Sequence, residues 1–328
     1  MGIIENRKQV MKAIRKAKNI FLMAHKNLDL DALGSTIGLY EILTKKKKNC
    51  FIIIEEQNHE LGVEKVLKEL TGCINIVKED EIKENLHKND NKNLLIICDT
   101  NKKELVQSET ALKLFNKKII LDHHNKGTSS IKVDVEVIDP EVSSTCEMIS
   151  ELVEAYDIEL DPYYATVLLS GIVLDTNNFT LKTSKNTYYS AYYLACLGAS
   201  AQKVQYLLKQ DIEEYIEREK MLTNIEIIDK RIAITKATPY TIYRREDIAK
   251  IADTLLYFNN IEASFVLSKI SKEEIGISAR SLGNFDINKI LSNFDGGGDS
   301  YHGAAVVKAD KISEVNDKLK EIIEKEVK

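Results

Sequence analysis

Three potential metal ligands lie close together near the start of the chain. His25, Asp29 and Asp31 fall within seven residues and follow the apolar run 20–24. Such a run, bounded by polar residues, is typical of a buried strand, so the three side chains should lie on the loop at its carboxyl end, where open α/β sheets bind ligands. One imidazole and two carboxylates offer the nitrogen and hard oxygen atoms that Mn²⁺ or Mg²⁺ prefers. A satisfied histidine beside a solvated acidic loop would explain His25 or Asp29 alone.

Matching side chains follow later apolar runs, which favours the metal-site interpretation. They are Asp99 after residues 94–98, then Asp122, His123 and His124 after residues 118–121, and finally Asp175 at the end of a predicted apolar helix. The carboxyl ends of parallel strands meet at one edge of a sheet, so carboxylate and imidazole groups should gather there. A chance core histidine would not be accompanied by neighbouring strands that end in the same way.

The elements that must position these residues alternate between strand and helix. A short amphipathic helix over 5–18 precedes the first strand, and further apolar runs at 51–54 and 74–77 are separated by charged segments of helical length. This alternation predicts an α/β fold with a parallel, doubly wound sheet. We expect a catalytic domain over 1–200, one long connecting helix within 201–228, and a smaller mixed α/β domain over 229–328.

Two further motifs point to anion binding, and each has a simpler explanation. Ser144 and Glu147 have the spacing of a helix capping box, which either caps a helix or opens an anion-binding helix N-terminus. Ser278 and Arg280 share one face of a predicted strand near the glycine turn 296–298, where a guanidinium and bare backbone N–H groups could bind phosphate. A solvated arginine and a plain tight turn are the alternatives.

Composition excludes several classes of protein. The chain has 328 residues, of which 44% are hydrophobic and 30% charged, as in an ordinary soluble protein. Its net charge of −5 argues against binding long nucleic acids but not a short phosphorylated ligand. Five cysteines without a CxxC pair fit a reducing compartment, and Cys98 is expected in the core. With no apolar run long enough to span a membrane and no signal-peptide pattern, we expect a cytoplasmic protein without membrane contact.

Taken together, these motifs resemble the DHH phosphoesterase family over nearly the whole chain. The resemblance rests on 122–124, His25 with Asp29 and Asp31, and the pairs 99–100 and 175–176. The C-terminal residues 278–283 and the glycine turn are similar to the domain that accompanies DHH in RecJ-like exonucleases, nanoRNases and cyclic-di-AMP phosphodiesterases. Family II pyrophosphatases carry a different second domain, which makes pyrophosphate an unfavourable substrate.

Within the family, the chain looks most like the catalytic module of GdpP-type cyclic-di-AMP phosphodiesterases. The details are residues 143–145 before a helix, residues 171–179, and the strand end 278–283. Proteins of this type usually carry membrane and sensory segments ahead of the module. The resemblance therefore implies either a fragment that acts at the cytoplasmic face of the membrane or a stand-alone relative.

The resemblance also implies roles for individual residues. His25 and Asp29 would hold one Mn²⁺, with Mg²⁺ or Co²⁺ as substitutes; Asp31, His123 and Asp175 would hold a second ion, and Asp99 would bridge the two. Asp122 would orient a neighbouring imidazole, and His124 would contact the phosphate or assist proton transfer to the leaving 3′-oxygen. The implied substrate-binding residues are Ser144, Ser278, Arg280, Gly296, Gly297, Gly298 and His302. The family usually has a histidine directly after the glycines, where this chain has Asp299. Either His302 takes that role by a local shift, which we expect, or the phosphate or base contacts of the second domain differ.

The implied function is hydrolysis of cyclic di-AMP to the linear dinucleotide pApA by a hydroxide that two metal ions activate, with cyclic di-GMP as a slower substrate. A nanoRNase or 3′-phosphoadenosine phosphatase acting on short linear substrates is the first alternative. A nucleotide sensor without catalytic activity is an alternative of another class. The family also allows a homodimer.

Overall fold

The computed structural model describes residues 3–55, 59–126, 129–298 and 300–327, which form two compact units. The first unit comprises Met1–Lys209 and the second Gln210–Lys328. No helix within these described ranges is long and apolar enough to cross a membrane.

The first unit alternates strands and helices, as the sequence predicts. Its strands are β1 (Asn19–Met23), β2 (Asn49–Ile53), β3 (Ile76–Val77), β4 (Asn93–Cys98), β5 (Lys118–Asp122) and β6 (Val135–Ile138). Its helices are α1 (Ile3–Lys16), α2 (Leu30–Lys45), α3 (Leu61–Glu69), α4 (Glu109–Leu114), α5 (Thr145–Ala155), α6 (Pro162–Asp175), α7 (Lys185–Cys196) and α8 (Ala201–Leu207). Only the edge strand β6 escapes prediction, because its four residues include a glutamate and form no apolar run.

The strands of this unit form one parallel sheet in the order β3-β2-β1-β4-β5-β6. The chain first winds outward from β1 through β3 and then crosses back to β4 on the other side of β1. The predicted doubly wound α/β fold is therefore confirmed. The winding reverses between β1 and β4, and the crevice outside the carboxyl ends of these two strands is where such folds bind ligands.

Both faces of this sheet are buried, and the side chains of β1 show how. Ile20 and Leu22 pack into a core with helices α1, α2, α5 and α6, whereas Phe21 and Met23 pack on the opposite face with residues of α4. Cys98 belongs to the helix-side core, as expected for a small buried residue. Because both faces are covered, polar side chains of this sheet can meet a ligand only at the ends of the strands.

Glycines let α2 and α6 approach each other closely. A Cβ on Gly171 of α6 would lie 2.5 Å from Cys146 Sγ and 2.9 Å from Asp31 Cα, and one on Gly34 of α2 would lie 3.0 Å from the Val167 carbonyl oxygen. Gly34 and Gly38 of α2 therefore face α5 and α6. This helix contact brings Asp31, at the start of α2, close to the C-terminal end of α6.

The segment 201–227 does not form the single long helix that its charge pattern predicts. It comprises α8, then α9 (Ile212–Glu219), then a 3₁₀ turn over Lys220–Asn224. Asp211 separates α8 from α9. Its carboxylate accepts hydrogen bonds from the N–H groups of Glu213 and Glu214 and so caps the start of a new helix. The division between the units falls directly before this cap.

The second unit is a mixed sheet in the order β11-β12-β10-β9-β8-β7, covered by helices. Its strands are β7 (Glu226–Ile228), β8 (Ile232–Lys236), β9 (Ala263–Lys269), β10 (Glu274–Ser281), β11 (Gly297–Gly298) and β12 (His302–Lys308). The remaining helices are α10 (Arg245–Leu255), α11 (Ile287–Leu291) and α12 (Ile312–Val327). β8 and β9 run parallel, and the other neighbours run antiparallel.

The glycine run is part of this sheet rather than a free turn. Gly297 and Gly298 pair with β12, and a Cβ on Gly298 would lie 2.0 Å from the His302 carbonyl oxygen. A Cβ on Gly296 would lie 2.5 Å from Ala305 Cβ, so these two glycines are needed for close strand packing. For Gly297 no described atom lies within 4 Å of the added Cβ. Among the described residues, packing therefore explains why positions 296 and 298 are glycine but does not explain why position 297 is.

The α2–α6 contact gives a stability prediction. Gly171→Ala should lower the free energy of unfolding by about 1–3 kcal/mol, since the clash with backbone atoms outweighs the gain in helix propensity. The measurement is urea unfolding followed by circular dichroism. Gly297→Ala is the matched control and should change the midpoint little. Equal midpoints for wild type and Gly171→Ala would contradict the close packing.

A half-buried carboxyl group on α5 gives a second stability prediction. Burial, reinforced by the nearby Glu147 and Asp139, raises the pKa of Glu151 from 4.5 to about 7. The folded state therefore binds the proton more tightly than the unfolded state, and stability falls as pH rises from about 4.5 to 7. Glu151→Gln should leave stability unchanged near pH 4 and raise it by about 1–2 kcal/mol at pH 8, less than the full shift implies because solvent screens a partly exposed charge.

The control for this change is Glu159→Gln, which alters an exposed carboxylate beyond the same helix. Its stability should follow the wild type across the pH range. A gain for Glu151→Gln that is equal at pH 4 and pH 8 would contradict the raised pKa.

Candidate metal centre

The side chains predicted from the sequence converge at the carboxyl edge of the first sheet. His25 and Asp29 lie on the loop between β1 and α2, and Asp99 directly follows β4. Three combinations of these and the other predicted ligands place their ligand atoms within 4.8 Å of one another. The combinations are His25 with Asp29 and Asp99; Asp31 with His123 and Asp175; and Asp99 with His123 and His124.

The first combination is built around His25. Its Nε2 atom lies 3.5 Å from Asp29 Oδ2 and 3.3 Å from Asp99 Oδ2. The Nδ1 atom lies 2.5 Å from the Lys26 carbonyl oxygen, to which it donates a hydrogen bond in the tautomer that leaves the Nε2 lone pair free. Asp29 caps α2 through Oδ1, which accepts from two backbone N–H groups, so Oδ2 remains available. Both side chains thus present one fixed ligand atom.

The second combination is built around His123. Its Nε2 atom lies 3.0 Å from Asp175 Oδ2, 3.4 Å from Asp99 Oδ1 and 3.9 Å from Asp31 Oδ2. Both histidine nitrogens are buried, and within the described residues neither makes a hydrogen bond of acceptable geometry. An imidazole that is buried among carboxylates without hydrogen bonds is a group that a bound cation would satisfy.

Asp99 connects the two combinations through the two oxygens of one carboxylate. Oδ2 faces His25 and Oδ1 faces His123, on opposite sides of a residue that is only 2% exposed. The backbone of Asp99 has a φ of 60°, which aspartate adopts more readily than most residues, and Oδ1 accepts a hydrogen bond from Thr145 Oγ1 at 3.0 Å. This carboxylate is therefore held where it can contact two ions at once.

Asp31 is fixed by the N-terminus of α5. Its two carboxylate oxygens accept hydrogen bonds from the backbone N–H groups of Thr145 at 2.8 Å and Cys146 at 2.7 Å. These are helix N–H groups without partners within the helix, and the helix dipole adds to the attraction. The anion bound at this helix start is thus a side chain of the protein itself.

This arrangement corrects the prediction for Ser144. Its side chain is fully buried, and Oγ accepts a hydrogen bond from the Glu147 N–H group at 3.0 Å. Of the two interpretations that the capping-box spacing left open, the cap is confirmed. The implied contact between the Ser144 side chain and substrate is wrong, because the hydroxyl is used in the cap and has no solvent-accessible surface.

Asp122 orients His124 rather than facing the cluster directly. Its Oδ1 lies 2.8 Å from His124 Nδ1 and accepts a bond from the His124 N–H group, while Oδ2 accepts one from Asn101 Nδ2 at 2.6 Å. The His124 side chain is 53% exposed. Nδ1 is thus bonded to a buried carboxylate, and Nε2 is left to act on a ligand.

The crowded carboxylates shift the pKa values of the site. Burial raises the pKa of Asp31 well above its usual range, and the charges of Asp99 and Asp175 add to the effect. Burial opposes protonation of His123, yet its contacts with Asp175 and Asp99 raise the pKa of the imidazole well above its usual range. Burial opposes ionisation of Asp99, but the contacts with His123 and His25 hold its pKa well below the usual value. The carboxyl and imidazole groups of the site therefore strongly influence one another's ionisation.

These residues fit two divalent cations. The donor set consists of imidazole nitrogens and carboxylate oxygens, which suits Mn²⁺, Co²⁺ or Mg²⁺, and contains no thiolate. The four carboxylates of Asp29, Asp31, Asp99 and Asp175 match the charge of two such ions. The orphaned nitrogens of His123 are consistent with the same assignment.

In the second unit, the structure brings together three of the predicted substrate-binding residues. Arg280 lies directly opposite His302 in the sheet register, and its Nη1 atom lies 3.3 Å from Ser278 Oγ. Arg280 is not the solvated arginine of the simpler alternative, because Nε donates to Asp253 Oδ1 at 2.6 Å and the side chain is 15% exposed. Asp299 lies outside the described residues.

Three supporting residues were missed by sequence reasoning. Gln107 donates through Nε2 to the His25 carbonyl oxygen at 2.8 Å and so holds the loops after β1 and β4 together. Thr145 binds Asp31 and Asp99, and Asn101 binds Asp122. Thr145 lies within the motif 143–145 and Asn101 directly follows the pair 99–100, so both positions carried a local signal although their roles were not predicted, whereas Gln107 has no local signal.

The shared carboxylate gives a prediction on metal binding. Calorimetric titration of the metal-free protein with Mn²⁺ should show two sites, and Asp99→Ala should weaken both by at least about tenfold because both groups lose an oxygen. Asp175→Ala should weaken one site only. Asp317→Asn, which removes an exposed carboxylate on α12, is the control and should bind two ions as the wild type does. Retention of one full-strength site in Asp99→Ala would contradict the bridging geometry.

Comparison with known proteins identifies two domains in this chain. Residues 19–172 match the DHH family, N-terminal domain, and residues 230–325 match the DHHA1 domain. A cyclic-di-AMP phosphodiesterase GdpP of Geobacillus thermodenitrificans is 33% identical, over 94% of this chain and 48% of that protein. The chain therefore spans about half the length of that relative.

Two further similarities cover nearly the full length of both proteins. The bifunctional oligoribonuclease and PAP phosphatase NrnA of Thermus thermophilus is 23% identical, over 97% of this chain and 93% of that protein. The crystal structure of an exopolyphosphatase-related protein from Bacteroides fragilis shares the fold, with a TM-score of 0.79 at 21% identity, over 98% of this chain and 96% of that one. The chain therefore contains a DHH domain, N-terminal type, followed by a DHHA1 domain.

Proposed function

We propose that this chain is a Mn²⁺-dependent phosphodiesterase that hydrolyses cyclic di-AMP to linear pApA, with cyclic di-GMP as a slower substrate. The observation that carries the proposal is the Asp99 carboxylate, whose two oxygens face two separate groups of metal ligands. Similarity to a cyclic-di-AMP phosphodiesterase over 94% of the chain supports the substrate.

In this proposal, His25, Asp29 and Asp99 hold one ion, and Asp31, Asp99, His123 and Asp175 hold the other. Two bound ions would lower the pKa of a shared water and stabilise the entering and leaving oxygens of an in-line displacement at phosphorus. The chain keeps the ligand atoms ready: the helix N-terminus holds Asp31, the cap interaction holds Asp29, and Thr145 holds Asp99. Little reorganisation is then needed when the ligand arrives.

His124 acts on the substrate through Nε2. Its Nδ1 atom is bonded to the buried Asp122, which Asn101 holds in turn. With Nδ1 so occupied, Nε2 can hydrogen-bond a phosphate oxygen or supply a proton to the departing 3′-oxygen, a contribution of about 10²–10⁴ in rate for general acid catalysis. Asp122 and Asn101 are positioning residues in this scheme.

The size of the cavity above the metal ligands limits how much of the substrate it can enclose. Its volume is about 240 Å³, below the roughly 300–1,000 Å³ of sites that enclose a drug-sized ligand. It accommodates the reacting phosphodiester with its nearest sugar rather than a whole dinucleotide. In the second unit, Ser278, Arg280, Gly297 and His302 are proposed as substrate-binding residues, since Arg280 lies opposite His302 and 3.3 Å from Ser278 Oγ.

Hydrolysis of short linear oligoribonucleotides or of 3′-phosphoadenosine phosphate is the second candidate. It is favoured by the similarity to NrnA over 97% of the chain. The same metal ligands would serve either substrate, because both reactions break a bond between phosphorus and a 3′-oxygen. A nucleotide sensor without catalysis is disfavoured by the complete set of ligands, since a site without catalytic use has no need for the shared Asp99.

The test is to incubate the purified chain with Mn²⁺ and each of four substrates: cyclic di-AMP, cyclic di-GMP, a short oligoadenylate and 3′-phosphoadenosine phosphate. We expect the highest kcat/KM for cyclic di-AMP, with pApA as the product identified by mass spectrometry. Asp99→Ala should reduce the rate by more than about 10³-fold and His124→Ala by about 10²-fold.

Each other outcome selects a different function. Higher kcat/KM for the linear substrates would assign the chain to the second candidate. Tight binding of cyclic di-AMP without turnover, equal in wild type and His124→Ala, would indicate a sensor. Asp317→Asn should match the wild type in every assay.

A further inference from the structure

We infer that Lys102 binds a phosphate group of the substrate at the mouth of the metal cavity. This inference rests on the proposed function and adds to it a residue outside the metal ligands. Lys102 follows Asp99 by three residues and lines the same cavity. The cavity is lined by His25, Asp29, Asp99, Thr100, Asn101, Lys102, Leu105, His124 and Asp175.

The position of Lys102 is fixed by its backbone. Its N–H group lies 3.3 Å from Thr100 Oγ1, and its carbonyl oxygen accepts from the Leu105 N–H group at 3.2 Å. A β-bridge pairs Lys102 with Ser130, and beside it the Ile131 N–H group donates to the Asn101 carbonyl oxygen at 2.8 Å. These backbone contacts therefore hold the Cα and Cβ atoms of Lys102 next to the metal ligands, independently of what the ammonium group contacts.

The ammonium group of Lys102 is available to a ligand. Among the described residues, no carboxylate forms an ion pair with it, whereas the adjacent Lys103 lies 3.5 Å from Glu109 Oε2. Glu104, the nearest acid along the chain, accepts a hydrogen bond from Ser129 Oγ at 2.9 Å and is fully exposed, so its attraction to Lys102 is through solvent and not through an ion pair. Lys102 is half-buried, so its charge is screened less than that of a fully exposed lysine.

The net charge of the site explains why a lysine would help to bind an anionic substrate. Two divalent ions neutralise the four carboxylates among the predicted metal ligands, and Asp122 adds one further negative charge behind His124. The loaded site would therefore carry no surplus positive charge with which to attract a phosphodiester anion. Lys102 is the one lysine or arginine among the cavity-lining residues of the described chain, and an ammonium group binds phosphate as a point charge.

This placement predicts a contribution to ground-state binding rather than to the chemical step. Lys102→Met keeps the length of the stem and removes the charge, so it should raise KM for cyclic di-AMP about tenfold, with kcat within about threefold of wild type. Lys102→Arg should recover most of the loss. The difference between wild type and Lys102→Met should shrink at high salt, because screening weakens the attraction.

Lys103→Met is the matched control, since it removes a neighbouring lysine that is already paired. It should leave KM unchanged. Calorimetric titration should show two Mn²⁺ sites of unchanged affinity in both variants, which separates loss of phosphate binding from damage to the metal centre. Thermal unfolding of Lys102→Met and Lys102→Arg checks that both variants are folded, and the arginine variant keeps the test valid if the methionine variant is not.

Inorganic phosphate gives a readout that does not depend on turnover. The Mn²⁺-loaded wild type should bind it about tenfold more tightly than Lys102→Met. If wild type hydrolyses none of the substrates, the proposed function fails, and this titration alone decides the role of Lys102. Equal phosphate affinity and equal KM in wild type and Lys102→Met would overturn the inference, as would a loss confined to kcat.

Discussion

The structure of the first unit depends on one constraint: several carboxyl groups must lie side by side at the carboxyl ends of the strands of a buried sheet. Asp99 is the centre of this cluster, with one oxygen toward His25 and the other toward His123. Like charges this close raise one another's pKa unless positive charge or hydrogen-bond donors offset them. The surrounding fold supplies donors to Asp29, Asp31, Asp99 and Asp122, and leaves the remaining lone pairs for cations.

The helices of the first unit explain why these donors are in place. α5 directs its first N–H groups at Asp31, which requires α2, α5 and α6 to meet closely. Gly34 and Gly171 allow that approach, because a Cβ at either position would strike Cys146 or neighbouring backbone. The position of the candidate metal ligands therefore depends on how closely these helices pack. A change that separates α2 from α6 should disturb Asp31 and Asp175 together.

The loop after β4 serves both the metal ligands and the cavity around them. Asp99 begins the loop, Asn101 steadies Asp122, Lys102 stands at the cavity mouth, and Gln107 ties the loop to the carbonyl group of His25. A single segment thus carries the central carboxylate of the cluster, an amide that bonds to Asp122 and a lysine that lines the cavity. Because β1 and β4 are neighbours at the point where the winding reverses, this segment meets the loop that carries His25 and Asp29.

The sequence by itself determined the elements and the ligand types. Apolar runs that end in His25, Asp99 and 122–124 predicted the strands and the edge at which the ligands meet, because burial and strand direction leave a local pattern. Tertiary structure decided which groups hold each ligand. The two orientations of the Asp99 carboxylate, the capture of Asp31 by α5 and the role of Gln107 join residues far apart in the chain, and no local pattern records them. The same reason explains the errors: Ser144 was assigned to substrate before its burial was known, and the charged segment 201–227 was read as one helix although the cap at Asp211 divides it.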